Sequence, residues 1–278
     1  MKKVLFVCTG NTCRSPMAAA IYGALCPDFS VESRGLFADG SEYCQHSIDA
    51  LSEMGINLSG NSKQFTREDL LADIFFCMTG SHKQALLSLG VADKKIIVLD
   101  VSDPYGFSLE TYKKCRDELK EKLSKYSFSI RPFEAGDATA VAKIEEVCFS
   151  HPWSEKTILE AYNSNTKFFV CENGQGDVIG YAGLSHVVDE GYVTNIAVLP
   201  EFRGFHIGKR LVDALIKYAE ENKLAFITLE VRESNLPAIN LYEKSGFKQV
   251  GTRKNFYDSP KENASLMTRE FKYDNSCN

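Results

Sequence analysis

The segment CTGNTCRS at residues 8–15 constrains the fold and the chemistry of this chain most strongly. It follows a short apolar run at residues 4–7 and precedes the small-residue run PMAAA at residues 16–20. This order predicts a strand, a tight loop and a helix. Backbone N–H groups converge at the start of such a helix, where the helix dipole favours an anion. The segment therefore predicts an anion-binding loop.

Two side chains of this loop indicate phosphoryl chemistry. Cys8 stands at the mouth of the loop, where the same electrostatic field favours the nucleophilic thiolate. Arg14 closes the loop with a planar guanidinium that suits two phosphoryl oxygens. The spacing alone also fits a core cysteine and a surface arginine beside a turn, so the strand–loop–helix context carries the interpretation. Such a loop binds phosphate, attacks it and needs no metal.

The segment resembles the active-site loop of the low-molecular-weight protein tyrosine phosphatases, and the resemblance covers residues 1–126. It implies that Cys8 and Arg14 are catalytic. The other predicted substrate-binding residues of the loop are Thr9, Gly10, Asn11, Thr12, Cys13 and Ser15. Asn11 would hold the shape of the loop and Ser15 would donate to the thiolate, although both residue types also cap helices. Cys13 is either a partner for a reversible disulfide with Cys8 or simply a second thiol.

The leaving group of such a phosphatase departs protonated, so a general acid is required. Asp103, in DPYG at residues 103–106, follows an apolar run and so lies beyond a strand end, where parallel sheets bind ligands. An Asp-Pro pair is also a common turn. The family places its acid in a similar Asp-Pro-aromatic motif, which favours Asp103, with Asp100 as the alternative. Tyr105 is expected to form a wall of the pocket.

Thr12 bears on the choice of substrate. Tyrosine-specific members of the family resemble this loop but carry a larger aliphatic residue at that position, whereas members that act on phosphoarginine carry threonine. A branched aliphatic side chain suits a flat phenol and crowds a wide guanidinium. We expect protein phosphoarginine as the substrate, attacked through a phosphocysteine intermediate, with phosphotyrosine as the alternative.

The length and composition of the chain favour two domains. Its 278 residues fit two ordinary domains, and strand-like runs alternate with helical ones over residues 1–126. This alternation predicts an α/β domain with a parallel sheet covered by helices. The resemblance to the phosphatases implies the three-layer flavodoxin-like arrangement of that domain. A new pattern starts at Phe128, so the second domain is expected over residues 128–272.

Charge, hydropathy and cysteine content limit the partners. A formal net charge of −5 gives no signature of direct nucleic-acid binding. No apolar run approaches the ~20 residues that cross a bilayer, so no membrane partner is expected. Nine cysteines without a regular framework fit a reducing compartment, and a cytoplasmic location is expected. Phosphorylated proteins are the expected partners of the first domain.

A second strand, loop and helix occur in the second domain. The strand is predicted over residues 192–199, and PEFRGFHIG at residues 200–208 precedes an amphipathic helix. A basic loop with glycine between a strand and a helix is a second anion-binding pattern. Strand–loop–helix units with a glycine are common, so by itself the pattern fits a purely structural role as well as an anion-binding one.

Downstream motifs relate this domain to a family. LEVRESN at residues 229–235 and LY at residues 241–242 resemble the GNAT acetyltransferase superfamily over residues 128–272. Together with HPWS at residues 151–154 and RKNFY at residues 253–257, they are most similar to the ribosomal-protein-alanine N-acetyltransferases. The resemblance implies a GNAT α/β fold with a mixed, mostly antiparallel sheet. It also implies acetyl-CoA as co-substrate, the N-terminal alanine of a small-subunit ribosomal protein as acceptor, and no metal.

The resemblance assigns roles to several residues. Glu230 is the expected base for the α-amine, and Tyr242 is the expected proton donor to the departing thiolate. A surface carboxylate and a core aromatic are the structural alternatives. The expected acetyl-CoA-binding residues are Ile196, Ala197, Val198, Arg203, Gly204, Gly208, Lys209 and Asn235. Asn235 is also a candidate helix cap.

One residue departs from the superfamily pattern. His206 stands where the superfamily usually has glycine, and its Cβ restricts the backbone of the predicted phosphate loop. We therefore expect either weaker binding of acetyl-CoA or a compensating contact from the imidazole ring. The whole chain is predicted to be a bifunctional enzyme. The alternatives are a tyrosine phosphatase fused to an acetyltransferase for a small amine or another protein, and a chain in which one domain is idle and recruits substrates.

Overall fold

The computed structural model describes residues 1–273. Contacts along the chain divide it into two compact units, of which the first comprises Met1–Ser127 and the second begins at Phe128. None of the helices within residues 1–273 combines the length and the apolar character that a bilayer crossing requires.

The first unit is built on four strands that are all parallel. They are β1 (Lys3–Cys8), β2 (Ser30–Gly35), β3 (Ile74–Cys77) and β4 (Ile96–Val98). The sheet has the order β2-β1-β3-β4. The two central strands are nearly continuous apolar runs because a parallel sheet is covered on both faces. Phe6 of β1 stacks on Phe76 of β3 with ring centroids 4.9 Å apart.

Four helices alternate with these strands. They are α1 (Arg14–Leu25), α2 (Gln45–Ser52), α3 (Gly80–Ser88) and α4 (Leu109–Ser124). The predicted α/β fold with a parallel sheet is confirmed. The loop from β1 to α1 and the loop from β4 to α4 both leave the carboxyl ends of strands, so they lie at the edge where open parallel sheets bind ligands.

Up to residue 273, the second unit contains seven strands. They are β5 (Phe128–Pro132), β6 (Thr166–Asn173), β7 (Val178–Val187), β8 (Glu190–Val198), β9 (Phe226–Arg232), β10 (Lys248–Asp258) and β11 (Lys261–Glu270). Their order is β10-β11-β9-β8-β7-β6-β5, and of the paired strands only β8 and β9 run parallel. This confirms the expected mixed, mostly antiparallel sheet.

The parallel pair separates along its length. β8 and β9 are in register from Glu190 opposite Phe226 to Tyr192 opposite Thr228, where the ladder between them ends. β8 continues against β7 to Val198, with an irregular register near Gly183. Beyond Tyr192, the edge of β8 on the side of β9 is therefore not paired with β9; we call it the separated edge of β8.

Four α-helices occur in the described part of the second unit, and two of them begin next to this separation. They are α5 (Ala138–Cys148), α6 (Glu155–Tyr162), α7 (Ile207–Glu221) and α8 (Leu236–Lys244). α7 buries Leu211 and Leu215, whose spacing of four residues places them on one face. Because α7 follows β8 and α8 follows β9, both helices begin near the carboxyl ends of the separating strands.

Candidate active sites

The loop between β1 and α1 surrounds the thiol of Cys8. The backbone N–H of Asn11 donates to Cys8 Sγ at 3.2 Å, and Ser15 Oγ lies 3.0 Å from the same sulfur. Both groups can donate hydrogen bonds to a thiolate. Because α1 starts at the end of the loop, the positive end of its dipole also favours negative charge near the sulfur. The arrangement suits a nucleophilic sulfur.

Asn11 holds this loop from behind. Its side chain is completely buried and its φ is 56°, in the left-handed region that asparagine tolerates better than most residues. Its Nδ2 donates to Ser15 Oγ and to Ser33 Oγ, both at 2.8 Å. Its Oδ1 accepts from the backbone N–H of Lys63 at 2.8 Å. Asn11 therefore connects the loop to β2 and to the segment around residue 63.

Gly35, at the end of β2, allows the loop to approach that strand. A Cβ at this position would lie 2.8 Å from the carbonyl carbon of Gly10 and from the carbonyl oxygen of Thr9. Any larger residue would push the loop away. Sequence reasoning missed Gly35 because a glycine at a strand end has many structural explanations.

A cleft of about 270 Å³ opens beside the loop. Its lining residues are Cys8, Thr9, Gly10, Thr12, Cys13, Arg14, Phe37, Asp39, Ser41, Asp103 and Tyr105. The buried guanidinium of Arg14 donates to the carbonyl oxygen of Val101 at 3.2 Å and forms an ion pair with Asp103. The structure thus brings the expected nucleophile, phosphate ligand and acid into one cleft. Asp100 is not among the lining residues, which favours Asp103 as the acid.

Two supporting side chains were not expected from the sequence. Tyr112 Oη lies 3.3 Å from Cys13 Sγ and 3.2 Å from Cys44 Sγ. Burial raises the pKa of Cys13 above its ordinary value, so this sulfur remains a thiol beside the loop. On the other side, His82 Nε2 lies 3.0 Å from Thr9 Oγ1, and burial lowers the pKa of His82.

A second cleft, of about 400 Å³, lies where β8 and β9 separate. Four of the predicted residues line it, namely Ile196, Glu230, Asn235 and Tyr242. The remaining predicted residues do not line this cleft and are found at the end of β8 and around the start of α7: Ala197, Val198, Arg203, Gly204, Gly208 and Lys209.

The two expected catalytic residues differ in their surroundings. Glu230 on β9 is partly buried and forms an ion pair with Arg253 at 3.1 Å. Tyr242 on α8 is 8% exposed, and burial raises the pKa of its hydroxyl above the ordinary value. Tyr242 therefore keeps its proton at neutral pH. Asn235 Oδ1 accepts from the backbone N–H of Ala238 at 3.3 Å, so it does cap α8.

In the loop before α7, two residues have a positive φ, and the side chains of Arg203 and Lys209 contact protein groups. Gly204 has a φ of 94° and His206, the N-cap residue, a φ of 62°. Arg203 Nε donates to the carbonyl oxygen of Val198 at 3.0 Å, and Lys209 forms an ion pair with Asp213 one turn later.

Glu145 of α5 is the centre of a buried cluster that sequence reasoning missed. It is fully buried and accepts hydrogen bonds from Tyr181 Oη, from the backbone N–H of Trp153 at 2.7 Å and from Asn195 Nδ2 at 2.7 Å. Asn195 lines the second cleft. The cluster therefore ties the segment around Trp153 to the wall of that cleft.

No group of three or more histidine, cysteine or acidic side chains within residues 1–273 is arranged to hold a metal ion.

Comparison with known proteins distinguishes the two halves. A family model of low molecular weight phosphotyrosine protein phosphatases matches residues 3–133, and one of the acetyltransferase (GNAT) family matches residues 138–247. A protein-arginine-phosphatase of Bacillus subtilis is 39% identical over 136 residues, which cover 43% of this chain and 91% of that protein. A ribosomal protein bS18-alanine N-acetyltransferase of Haemophilus influenzae is 39% identical over 144 residues, which cover 50% of this chain and 95% of that protein.

A solved structure agrees with the second match. The crystal structure of the ribosomal-protein-S18-alanine N-acetyltransferase from Escherichia coli is 32% identical with a TM-score of 0.50, covering 54% of this chain and 99% of that chain. Both matched families are families of enzymes. The chain therefore belongs to the low molecular weight phosphotyrosine protein phosphatases through its first half and to the GNAT acetyltransferases through its second half.

Proposed function

We propose that the first unit, as a domain of residues 1–126, removes phosphate from arginine side chains of proteins. The observation that carries this proposal is the cleft in which the sulfur of Cys8, the guanidinium of Arg14 and the carboxyl group of Asp103 meet. The similarity to a protein-arginine-phosphatase supports the same substrate class.

The proposed reaction has two steps. In the first, Cys8 Sγ attacks phosphorus, an S–P bond forms, the P–N bond to the guanidine breaks, and Asp103 gives its proton to the leaving nitrogen. In the second, water attacks phosphorus, the S–P bond breaks, Asp103 takes a proton from the water, and Ser15 donates to the departing thiolate. Arg14 and the backbone N–H groups of the loop stabilise the charge on the phosphoryl oxygens.

Thr12 supports phosphoarginine rather than phosphotyrosine. It lines the cleft, and its Oγ1 lies 3.6 Å from Cys13 Sγ, so a short polar side chain borders the phosphate position. A larger aliphatic residue there would narrow the space that a planar guanidinium needs.

The test is kcat/KM on matched phosphoarginine and phosphotyrosine peptides, with Cys8→Ala as the blank. We expect a clear preference for phosphoarginine, and Thr12→Ile should move the preference toward phosphotyrosine. Preference of the unchanged protein for phosphotyrosine would refute the proposed substrate while keeping the cysteine mechanism. Activity no greater than the blank on either peptide would refute a catalytic role for this unit.

We propose that the second unit, as a domain of residues 128–272, transfers an acetyl group from acetyl-CoA to the N-terminal alanine of a small-subunit ribosomal protein. The separated edge of β8 supports binding of the thioester arm by the backbone of Ile196, Ala197 and Val198. The glycine-containing loop before α7 supports binding of the pyrophosphate by Arg203, Gly204, Gly208 and Lys209. Asn235 would bind the pantetheine arm.

In the proposed transfer, Glu230 accepts a proton from the α-amine, directly or through water. The nitrogen then attacks the thioester carbonyl, the C–N bond forms and the C–S bond breaks, and Tyr242 donates its proton to the departing sulfur. The protonated state of Tyr242 supports this role.

The test compares a peptide that begins with alanine, the same peptide with a blocked N-terminus, and a free polyamine as acceptors. We expect acetylation of the first alone. Transfer to the polyamine at an equal kcat/KM would favour a small-amine acetyltransferase and refute the proposed acceptor.

The catalytic thiol must stay reduced, which supports a cytoplasmic location for the protein. No disulfide joins any of the eight cysteines among residues 1–273. Both proposed substrates, phosphorylated proteins and a ribosomal protein, are consistent with this compartment. If the protein isolated from growing cells had Cys8 in an oxidised form, this would argue against a cytoplasmic location.

A further inference from the structure

One wall of the phosphatase cleft carries a carboxylate that the reaction above does not use. Asp39 lies in the segment after β2 and lines the cleft together with Cys8 and Arg14. Its Oδ1 accepts from the backbone N–H of Ser41 at 3.0 Å and from Ser62 Oγ at 3.4 Å. Hydrogen bonds from Ser41 hold the pKa of Asp39 below its usual range, so it is an anion at neutral pH.

A fixed anion is unexpected in a cleft that accepts phosphate. The charge of Arg14 is already shared with Asp103 through their ion pair. An additional carboxylate repels the phosphoryl oxygens, and a cationic group elsewhere on the substrate would offset this repulsion. A phenol ring offers no charge and no donor for this purpose. A guanidinium offers both, because it is cationic and presents several N–H donors in one plane.

The neighbouring side chains suit the same group. Phe37 and Tyr105 line the cleft and are 79% and 69% exposed, so their rings are accessible to a substrate. Aromatic rings favour flat cations on their faces. Asp39, Phe37 and Tyr105 together provide a carboxylate and two accessible rings beside the phosphate loop.

We infer that Asp39 is a specificity-determining residue that binds the guanidinium of phosphoarginine substrates. This inference rests on the proposed phosphoarginine activity of the first unit. Asp39 accepts N–H bonds from the guanidinium nitrogens that do not carry the phosphoryl group. It thereby favours phosphoarginine and disfavours phosphotyrosine at the same position.

The experiment uses Asp39→Asn in the full chain. Asparagine keeps an Oδ1 that accepts from Ser41 and Ser62, so the loop contacts remain while the charge is removed. Glu42→Gln is the matched control, because it removes the same charge three residues away from an exposed side chain that does not line the cleft. For both variants, kcat/KM is measured on matched phosphoarginine and phosphotyrosine peptides.

We expect Asp39→Asn to lower kcat/KM for phosphoarginine by about tenfold, the size of one charge-assisted hydrogen bond, and to leave phosphotyrosine unchanged or improved. Glu42→Gln should leave both values unchanged. Equal losses on both peptides would assign Asp39 a structural role and overturn the inference, as would no loss on either. In those cases a preference of the unchanged protein for phosphoarginine would leave the proposed function standing.

A binding measurement distinguishes an effect of Asp39 on substrate recognition from an effect on the chemical steps. In the Cys8→Ala background, the phosphoarginine peptide should bind more weakly when Asp39→Asn is added, whereas inorganic phosphate should bind equally well or better. Weaker binding of phosphate itself would also overturn the inference. If the unchanged protein shows no phosphoarginine activity above the Cys8→Ala blank, both the proposed function and the inference fail.

Discussion

The guanidinium of Arg14 is ion-paired with the carboxylate of Asp103 inside the phosphatase cleft. The two residues are far apart in sequence. They lie in segments that follow the carboxyl ends of different strands, β1 and β4, so the parallel sheet brings them together. Arg14 is nearly buried, whereas about half of the Asp103 side chain is exposed. In the proposed reaction, we expect a phosphoryl group to compete with Asp103 for the guanidinium of Arg14, which would leave the carboxyl group of Asp103 available to protonate the leaving group.

Asp103→Asn tests the role of this carboxyl group. The amide preserves the shape of the side chain but provides no acidic proton. We expect kcat on a phosphoarginine peptide to fall by about 100- to 10,000-fold. The loss on p-nitrophenyl phosphate should be much smaller, because its leaving group departs without a proton. Asp100→Asn is the matched control and should retain activity on both substrates; equal losses of the Asp103 variant on both would contradict the assignment.

Asn11 is predicted to be essential for the stability of the loop. Asn11→Ala removes three buried side-chain hydrogen bonds and places alanine at a positive φ. We expect a loss of about 2 to 4 kcal/mol in the free energy of unfolding, measured by urea denaturation. Asn11→Gly loses the same hydrogen bonds without the backbone cost, so it should be about 1 kcal/mol more stable than the alanine variant. The reverse order would show that the left-handed backbone is not part of the effect.

The outcome for the loop shows which features could be predicted from sequence. Residues 3–25 form a strand, a loop and a helix through local patterns, and the active-site contacts of Cys8 with Asn11 and Ser15 fall within eight residues. The end of a parallel strand is a defined position in the fold, but the choice of Asp103 at that position came from the Asp-Pro-aromatic motif of the family that the sequence resembles. In these cases the relevant physical information is local or follows from the topology.

Other site residues have no local pattern that would single them out. Asp39 and Glu145 are single acidic residues, and each acquires its role from partners contributed by separate segments, such as Ser62 for the first and Asn195 for the second. Gly35 is needed only because the loop around Gly10 packs on it. Such residues could not be predicted because their roles depend on tertiary contacts.

Glu145 is predicted to be a positioning residue for the second cleft. Glu145→Gln replaces one acceptor oxygen with an NH2 group that faces other donors, so the buried cluster cannot be satisfied. We expect a loss of about 2 to 4 kcal/mol in unfolding free energy. Acetyltransferase kcat/KM should also fall, through Asn195 in the cleft wall, while phosphatase activity persists. Glu146→Gln, at the exposed neighbouring position, is the control and should change none of these quantities.

Tyr242 is predicted to act as a proton donor. Since burial raises its pKa, the protonated form persists to a higher pH than for a free tyrosine. The acetyl-transfer rate should therefore show no alkaline loss from this group until above pH ~10. Tyr242→Phe should lower kcat roughly 100-fold with little change in acetyl-CoA binding. Unchanged turnover would remove Tyr242 from the mechanism, and weaker acetyl-CoA binding with normal kcat would make it a binding residue instead.

His206→Gly examines the residue that departs from the superfamily pattern. His206 already has a φ of 62°, so a glycine would adopt the same loop conformation without the steric cost of a Cβ. Because the histidine already has this backbone conformation, the effects on acetyl-CoA binding that its Cβ led us to expect from the sequence should be small. We therefore expect the acetyl-CoA dissociation constant, measured by calorimetric titration, to change by less than about twofold, because the backbone N–H groups keep their directions. Glycine stabilises the folded state by relieving the cost of a positive φ, but it also raises the conformational entropy of the unfolded chain. These two effects oppose each other, so the unfolding free energy should change by less than about 1 kcal/mol. Lys223→Gly, at another position with positive φ, is the control for this backbone effect. A tenfold gain in affinity confined to the His206 variant would show that the histidine side chain obstructs the site, and a tenfold loss would show that its ring contributes a contact to acetyl-CoA.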